Sequence, residues 1–260
     1  MRANRIREIW QAGDAVVNGW LAIPSILSAE TMAHQGWDSL CVDTQHGIVD
    51  YQAAVGMLQA MEAGGPVPIL RVPWNEPGAI MKALDAGAMG IICPMINTKA
   101  ECEAFTGACR YAPVGYRSVG PIRAALVSGA GYHAAANDAV LTLAMIETTT
   151  ALENLDEIMS VPELDGIYIG PSDLSVSMGF APGFDPTEPA VVEAIHKILG
   201  AAQRHGKLPG IHCGSVGFAL QMAEAGFAFV TILSELRLMT WAANNAVTAF
   251  KAGATAPNAP

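Results

Sequence analysis

Short runs of β-branched and apolar residues recur eight times along the sequence, each followed by a stretch of helical periodicity, and no other feature restricts the possible folds as much. The runs are VNGWLAI from Val17, SLCVDT from Ser39, VPILRVP from Val67, GIICPMI from Gly90, LTLAMIET from Leu141, GIYIGPSDL from Gly166, LPGIHCG from Leu208 and FAFVTIL from Phe227. They are nearly continuous in apolar character rather than alternating, as strands of a parallel sheet covered on both faces are. Between them lie helical patterns such as YQAAVGMLQAMEAGG, EPGAIMKALDAGA, ALENLDEIMSV and SVGFALQMAEAGF, most ending in the Ala-Gly that suits a helix C-terminus. Strict alternation implies a parallel α/β sheet, and eight units imply closure into a (β/α)8 TIM barrel. The alternative is an open doubly wound sheet, which would be expected to show GxGxxG after its first strand; none follows here.

A chain of 260 residues that is 52% hydrophobic and 15% charged can bury one large core. The expected organisation is one barrel over residues 1–253 and a disordered tail, GATAPNAP, ending the chain, with 254–260 outside the domain. One connection is long: RYAPVGYRSVGPIRAALVSGAGYHAAAND, before the fifth strand, reads as a loop, and loops of that length in compact domains usually have a function. The net charge of -10 disfavours nucleic acid and anionic membranes, which need clustered Lys and Arg. Five cysteines with no metal-ligand spacing read as reduced thiols. The opening MRANRIREIW is not followed by an apolar stretch, and no apolar run approaches about 18 residues, so the expected location is the cytoplasm.

In a barrel the chemistry sits where strands end, at the C-terminal rim. The second strand ends in Asp43-Thr44-Gln45-His46, the third in Arg71, the fifth in Glu147 and the sixth in Gly170-Pro171-Ser172-Asp173. Glu147 and Asp173 thus arrive from adjacent strands within apolar runs, where an unpaired charge is costly. A hard divalent cation would resolve that cost, and two oxygen ligands suit Mg2+ or Mn2+ with positions left for water and a chelating substrate. The alternative is that each carboxylate pairs with an arginine at the rim. Arg71 carries a planar fork of donors suited to an oxyanion, or to a structural salt bridge with Asp43. His46 lies three residues after Asp43, close enough for the carboxylate to orient its imidazole as a general base. The Gly170–Asp173 segment should turn into a helix whose first N–H groups, at Ser172 and Asp173, could hold a ligand carboxylate; an ordinary capped turn is the alternative.

Covalent imine catalysis requires a lysine inside the barrel. Lys82, Lys99, Lys197 and Lys251 fall in helical patterns and Lys207 precedes the seventh strand, at the opposite rim, so no Schiff base and no organic cofactor are expected. Of the remaining histidines only His212, inside the seventh strand, could approach the site.

These strand ends belong to longer segments, GWLAIPS, AHQGWDSLCVDTQHG, ILRVPWNEPGAIMKALDAGAMGIICPMI, YAPVGYRSVGP, AMIETTTALENLDEI and GIYIGPSDLSVSMG, and through them nearly the whole chain resembles the HpcH/HpaI family of metal-dependent pyruvate aldolases. The resemblance implies a barrel of the phosphoenolpyruvate/pyruvate-binding type. It also implies metal ligands at Glu147 and Asp173, an enolate-stabilising arginine at Arg71, and an Asp/His pair at Asp43 and His46. Trp20 and Val119 would lie near the aldehyde pocket, the latter through a loop crossing a subunit contact. Gln45 departs from members with glutamate at that place, which bears on the surroundings of the metal rather than on its ligands. Further implications are a Mg2+, Mn2+ or Co2+ requirement and a homo-hexamer, a trimer of dimers, with final helices exchanged between subunits. The substrates expected are a small 2-oxo acid and an aldehyde. A lyase or hydrolase of acyl-CoA esters and a non-catalytic 2-oxo acid binding protein are the rival readings.

Overall fold

Each of the eight apolar runs forms a parallel strand. The computed structural model describes residues 4–253, so the tail expected to be disordered lies outside the described residues. The strands are β1 (Val16–Leu21), β2 (Ser39–Asp43), β3 (Val67–Arg71), β4 (Gly90–Cys93), β5 (Leu141–Ile146), β6 (Gly166–Ile169), β7 (Leu208–Cys213) and β8 (Phe229–Ile232). Every strand pairs in parallel with its sequence neighbours, and β1 pairs with β8 to close the barrel.

The helices are α1 (Arg5–Gln11), α2 (Ile26–Ala33), α3 (Tyr51–Met61), α4 (Pro77–Asp85), α5 (Lys99–Cys109), α6 (Ile122–Ser128), α7 (Tyr132–Ala139), α8 (Thr149–Glu153), α9 (Leu155–Met159), α10 (Pro171–Ser177), α11 (Pro189–Arg204), α12 (Val216–Ala225) and α13 (Glu235–Lys251). Helix α11 shows why they pack: Val191, Ala194, Ile195, Ile198 and Ala202 recur at helical spacing and are all buried, each large aliphatic contributing ~1.5–3 kcal/mol on burial. Helix α12 stops at Gly226, whose φ of 110° is left-handed, a backbone state that glycine adopts without a Cβ clash.

Two expectations need correction. The long connection before β5 is not a loop: IRAALVS and YHAAANDA fold as α6 and α7, because their alanines favour helix and Ala124 and Ala136 find buried packing. The ALENLDEIMSV pattern is two helices rather than one. Asn154 stands between α8 and α9, with its side-chain amide donating to the Asn97 carbonyl at 2.9 Å.

Two apolar layers result. One lies between strands and helices and includes Leu40, Leu70, Ile91, Ile167 and Ile211. The other fills the barrel itself with Val16, Trp20, Cys41, Ile69, Leu143, Tyr168 and Phe229, joined by Ile6 of α1. All five cysteines are buried free thiols. Among the described residues no helix is long and apolar enough to cross a membrane.

Candidate active site

Alternation along each strand decides which side chains reach the barrel interior. Trp20, Cys41, Ile69, Met145 and Tyr168 share the interior layer, so Asp43, Arg71 and Glu147, each two residues beyond an interior position, emerge at the C-terminal rim. The register places Asp43 beside Arg71 and His212 beside Thr231. The rim surrounds a cavity of about 270 Å3 lined by Trp20, Ala22, Asp43, His46, Arg71, Met145, Tyr168, Gly170, Pro171, Ser172, Asp173, Phe184, His212, Ser234 and Arg237.

Arg71 and Asp43 form a two-pronged ion pair. Nε donates to Oδ1 at 2.9 Å and Nη2 to Oδ2 at 2.6 Å, and the guanidinium lies 4.8 Å over the Trp20 ring. Trp20 Nε1 also donates to Asp43 Oδ2, at 3.2 Å. Burial pushes the Asp43 carboxyl up, but the hydrogen bonds and charge of Arg71 outweigh it and hold it below the usual carboxylate range. The salt bridge is therefore real, and it leaves Arg71 on the cavity wall: two of five guanidinium N–H groups are spent on Asp43, and the rest remain for a ligand.

The expected pairing of Asp43 with the His46 imidazole is not formed. Asp43 Oδ1 accepts from the backbone N–H groups of Gln45 and His46, at 3.0 and 3.2 Å. The short turn after β2 wraps the carboxylate with main chain, so Asp43 shapes the loop while the exposed imidazole lines the cavity independently.

Glu147 is 2% exposed, and its Oε1 accepts from Met95 N–H at 2.8 Å, with Met95 at a positive φ of 56°. Oε2 sits against Gly170, where a Cβ would approach it to 2.4 Å. Burial, followed by the nearby negative charge of Asp173, pushes the Glu147 carboxyl up to about 7 even against the Met95 hydrogen bond. Neither Glu147 nor Asp173 makes an ion pair with an arginine among the described residues, contrary to the arginine-paired alternative. No cluster of three or more His, Cys, Asp or Glu suited to a metal occurs among them either. A buried carboxylate destabilised by an acidic neighbour, with hydrogen bonding to only one oxygen, is a donor set that a divalent cation fits.

Helix α10 begins at Pro171 with Gly170 as its N-cap and no side-chain cap, so the first-turn N–H groups at Ser172 and Asp173 lack helical partners. Val119 is 66% exposed and is not among the residues lining the cavity of its own chain. The five lysines stay away from the cavity, and Lys207 donates to the carbonyls of Val161 and Leu164.

Sequence reasoning missed Tyr168, Phe184 and Arg237 and gave His212 little weight. Tyr168 stacks on Trp20 with ring centroids 5.7 Å apart; its position two residues before Gly170 was the available signal. Arg237 lies 4.4 Å over the Phe184 ring, a contact between distant segments with no local signature.

A closed (β/α)8 barrel with carboxylates, a paired arginine and histidines converging on one rim cavity defines a barrel enzyme. The model of the HpcH/HpaI aldolase/citrate lyase family matches residues 19–228. The chain is 45% identical over 244 residues to the hydroxypyruvate/pyruvate aldolase of Rhizorhabdus wittichii, covering 94% of this chain and 97% of that one. It is 34% identical to the 4-hydroxy-2-oxo-heptane-1,7-dioate aldolase of Escherichia coli, covering 97% of each. The solved structure of an HpcH/HpaI aldolase/citrate lyase family protein from Burkholderia cenocepacia superposes with a TM-score of 0.90 at 28% identity, covering 96% of this chain and all of that one. The chain belongs to the HpcH/HpaI aldolase/citrate lyase family, and it is an enzyme of the aldolase type.

Proposed function

We propose that the protein catalyses the reversible, metal-dependent aldol addition of the enolate of pyruvate, or of a close 2-oxo acid, to an aldehyde, and so cleaves 4-hydroxy-2-oxo acids. The observation that carries this reading is the meeting of opposites at the C-terminal rim: the buried Glu147 carboxylate, without an arginine partner and beside the cavity-lining Asp173, and on the same cavity wall an arginine with free donors held by Asp43. The names of two relatives, a hydroxypyruvate/pyruvate aldolase and a 4-hydroxy-2-oxo-heptane-1,7-dioate aldolase, support the substrate class.

Glu147 and Asp173 would hold the cation, Mg2+, Mn2+ or Co2+, which when bound supplies Lewis-acid polarisation of the 2-oxo group. The first-turn N–H groups at Ser172 and Asp173 bind the substrate carboxylate, and Trp20 walls the pocket. In cleavage the His46 imidazole takes the proton of the C4 hydroxyl, the C4–O electron pair becomes a carbonyl, and the C3–C4 bond breaks. Its electrons move into the C2–C3 enolate, whose oxyanion the free donors of Arg71 receive; protonation at C3 completes the 2-oxo acid. In synthesis the same groups work in reverse, and His46 returns the proton to the new alkoxide.

The working form we infer is a homo-hexamer. Helix α13 buries only Glu235 among its residues and leaves Met239, Trp241 and Phe250 largely exposed, as a helix exchanged with a neighbouring subunit would in a single chain. Such an assembly would also bring the Val119 loop to a neighbour's pocket. Light scattering that gives six times the chain mass supports it, and a monomer contradicts it.

The reaction is tested by supplying a 4-hydroxy-2-oxo acid and following release of the 2-oxo acid with a coupled dehydrogenase, with added Mn2+ and again after chelation. Release that requires the metal is the expected result; release that survives chelation contradicts the metal-dependent route.

A further inference from the structure

Beneath the cavity, a chain of buried polar groups crosses the barrel interior. Ser39 Oγ donates to Asn18 Oδ1 at 2.7 Å, Asn18 Nδ2 donates to Thr231 Oγ1 at 2.9 Å, and Tyr168 donates its hydroxyl proton to Thr231 Oγ1 at 2.7 Å. The chain ends at His212, whose Nδ1 lies 3.0 Å from the Tyr168 oxygen. Tyr168 has one hydroxyl proton and Thr231 receives it, so the hydrogen between Tyr168 and His212 must come from Nδ1. That fixes the tautomer, with Nδ1 protonated and Nε2 left as a bare acceptor.

Three aromatic rings surround this imidazole. Trp20 meets it edge-on with centroids 5.1 Å apart, Phe184 lies at 5.0 Å and Tyr168 at 6.4 Å. Nε2 has no hydrogen-bond partner among the described residues, and His212 lines the cavity. Burial, then the positive charge of Arg71, pushes the imidazole down to about 3, so at neutral pH it is an acceptor and not a cation. A substrate entering this side of the cavity displaces water from Nε2. Unless it brings a donor of its own, it leaves a desolvated acceptor without a partner.

We propose that His212 is a specificity-determining residue, whose Nε2 accepts a hydrogen bond from a hydroxyl on the substrate and so favours hydroxylated 2-oxo acids or hydroxylated aldehydes over their deoxy counterparts. This rests on the aldolase reading above. Tyr168 acts through His212 as a positioning residue, and the Asn18–Thr231 pair anchors Tyr168 in turn.

The test compares kcat/KM in two arms, for the wild-type enzyme, His212→Leu and His212→Gln. The donor arm sets hydroxypyruvate against pyruvate with one common aldehyde. The acceptor arm sets glycolaldehyde against acetaldehyde with pyruvate. In one arm His212→Leu should lower the preference for the hydroxylated substrate, read as the ratio of the two kcat/KM values, by about 3- to 10-fold, the worth of one neutral hydrogen bond. His212→Gln, which keeps an acceptor, should retain the preference. The arm that responds identifies which substrate carries the hydroxyl. Unchanged preferences in both arms, or a parallel fall of every reaction, overturn the proposal. Absence of turnover by the wild-type enzyme with every pair would instead overturn the aldolase reading itself, and this inference with it.

Discussion

Arg71 and Asp43 stand opposite each other on neighbouring strands and bond through two prongs, which fixes the guanidinium plane and aims its remaining donors at the cavity. Fixed donors lower a barrier when they meet charge that develops in the transition state. Arg71→Ala should therefore cut kcat for aldol cleavage by about 10²-fold or more, measured by steady-state kinetics with saturating metal; a loss confined to KM would make Arg71 a binding residue only. Glu147 gives a second prediction. Its carboxyl is raised to about 7 from an ordinary value of 4.5, so in metal-free protein it costs nothing while protonated. The cost grows as pH rises through that interval and levels off above it, up to ~3 kcal/mol. Thermal denaturation of metal-free protein should show stability falling from about pH 5 to about pH 8, with Mn2+ restoring it and Glu147→Gln flattening the slope. An unchanged slope in Glu147→Gln would contradict the assignment. Strand-end residues such as Arg71 and Glu147 could be picked out in the sequence because each is the polar residue that closes an apolar strand run, and strand ends form the rim where barrel chemistry sits. The direction of the His46 ring could not, because a four-residue turn can offer its carboxylate either imidazole or main chain, and here Asp43 takes main chain.

At the scale of elements, the site depends on how helices begin. Helix α13 starts with a buried carboxylate: Glu235 Oε1 accepts from Ala22 N–H at 2.6 Å and from Ile23 N–H at 2.7 Å, tying the start of α13 to the loop after β1. Burial pushes this carboxyl up against those hydrogen bonds. Ala22 and Ser234 both line the cavity, so the tie also sets one wall of the site. Glu235→Ala leaves two N–H groups unpartnered and should cost about 1–3 kcal/mol in chemical denaturation, whereas Glu235→Gln, with one oxygen able to accept both, should stay near the wild type. Equal losses in the two variants would show that the carboxylate charge, not the acceptor, matters. The same scale explains what was hidden in the sequence. Helices α3, α5 and α12 announce themselves with Asp50, Thr98 and Ser215 as N-caps whose side chains accept backbone N–H groups. Helices α6 and α7 have Pro121 and Gly131 at their N-cap positions and no side-chain cap, so their glycine-rich flanks read as loop.

For the whole molecule, closure of eight parallel strands brings residues 192 positions apart, Trp20 and His212, into contact across one cavity. No window of sequence contains that proximity; the repeated strand–helix pattern implies it only once the barrel is assumed to close. The same closure brings the acidic residues that follow β5 and β6, Glu147 and Asp173, to the rim where Arg71 ends β3, with Arg71 and Asp173 lining one cavity, so that a group to polarise a carbonyl and a group to receive enolate charge meet at one site. A 2-oxo acid bound there should lose a C3 proton without any aldehyde present. The most direct measurement is exchange of the methyl protons of pyruvate in deuterated water, followed by NMR with Mn2+ removed from solution after catalysis, or with Mg2+ throughout, and repeated with chelator. Exchange that requires the metal and collapses in Glu147→Gln is the predicted result. Exchange unaffected by chelation, or none at all with metal supplied, would contradict the account of the site as an enolate-forming centre.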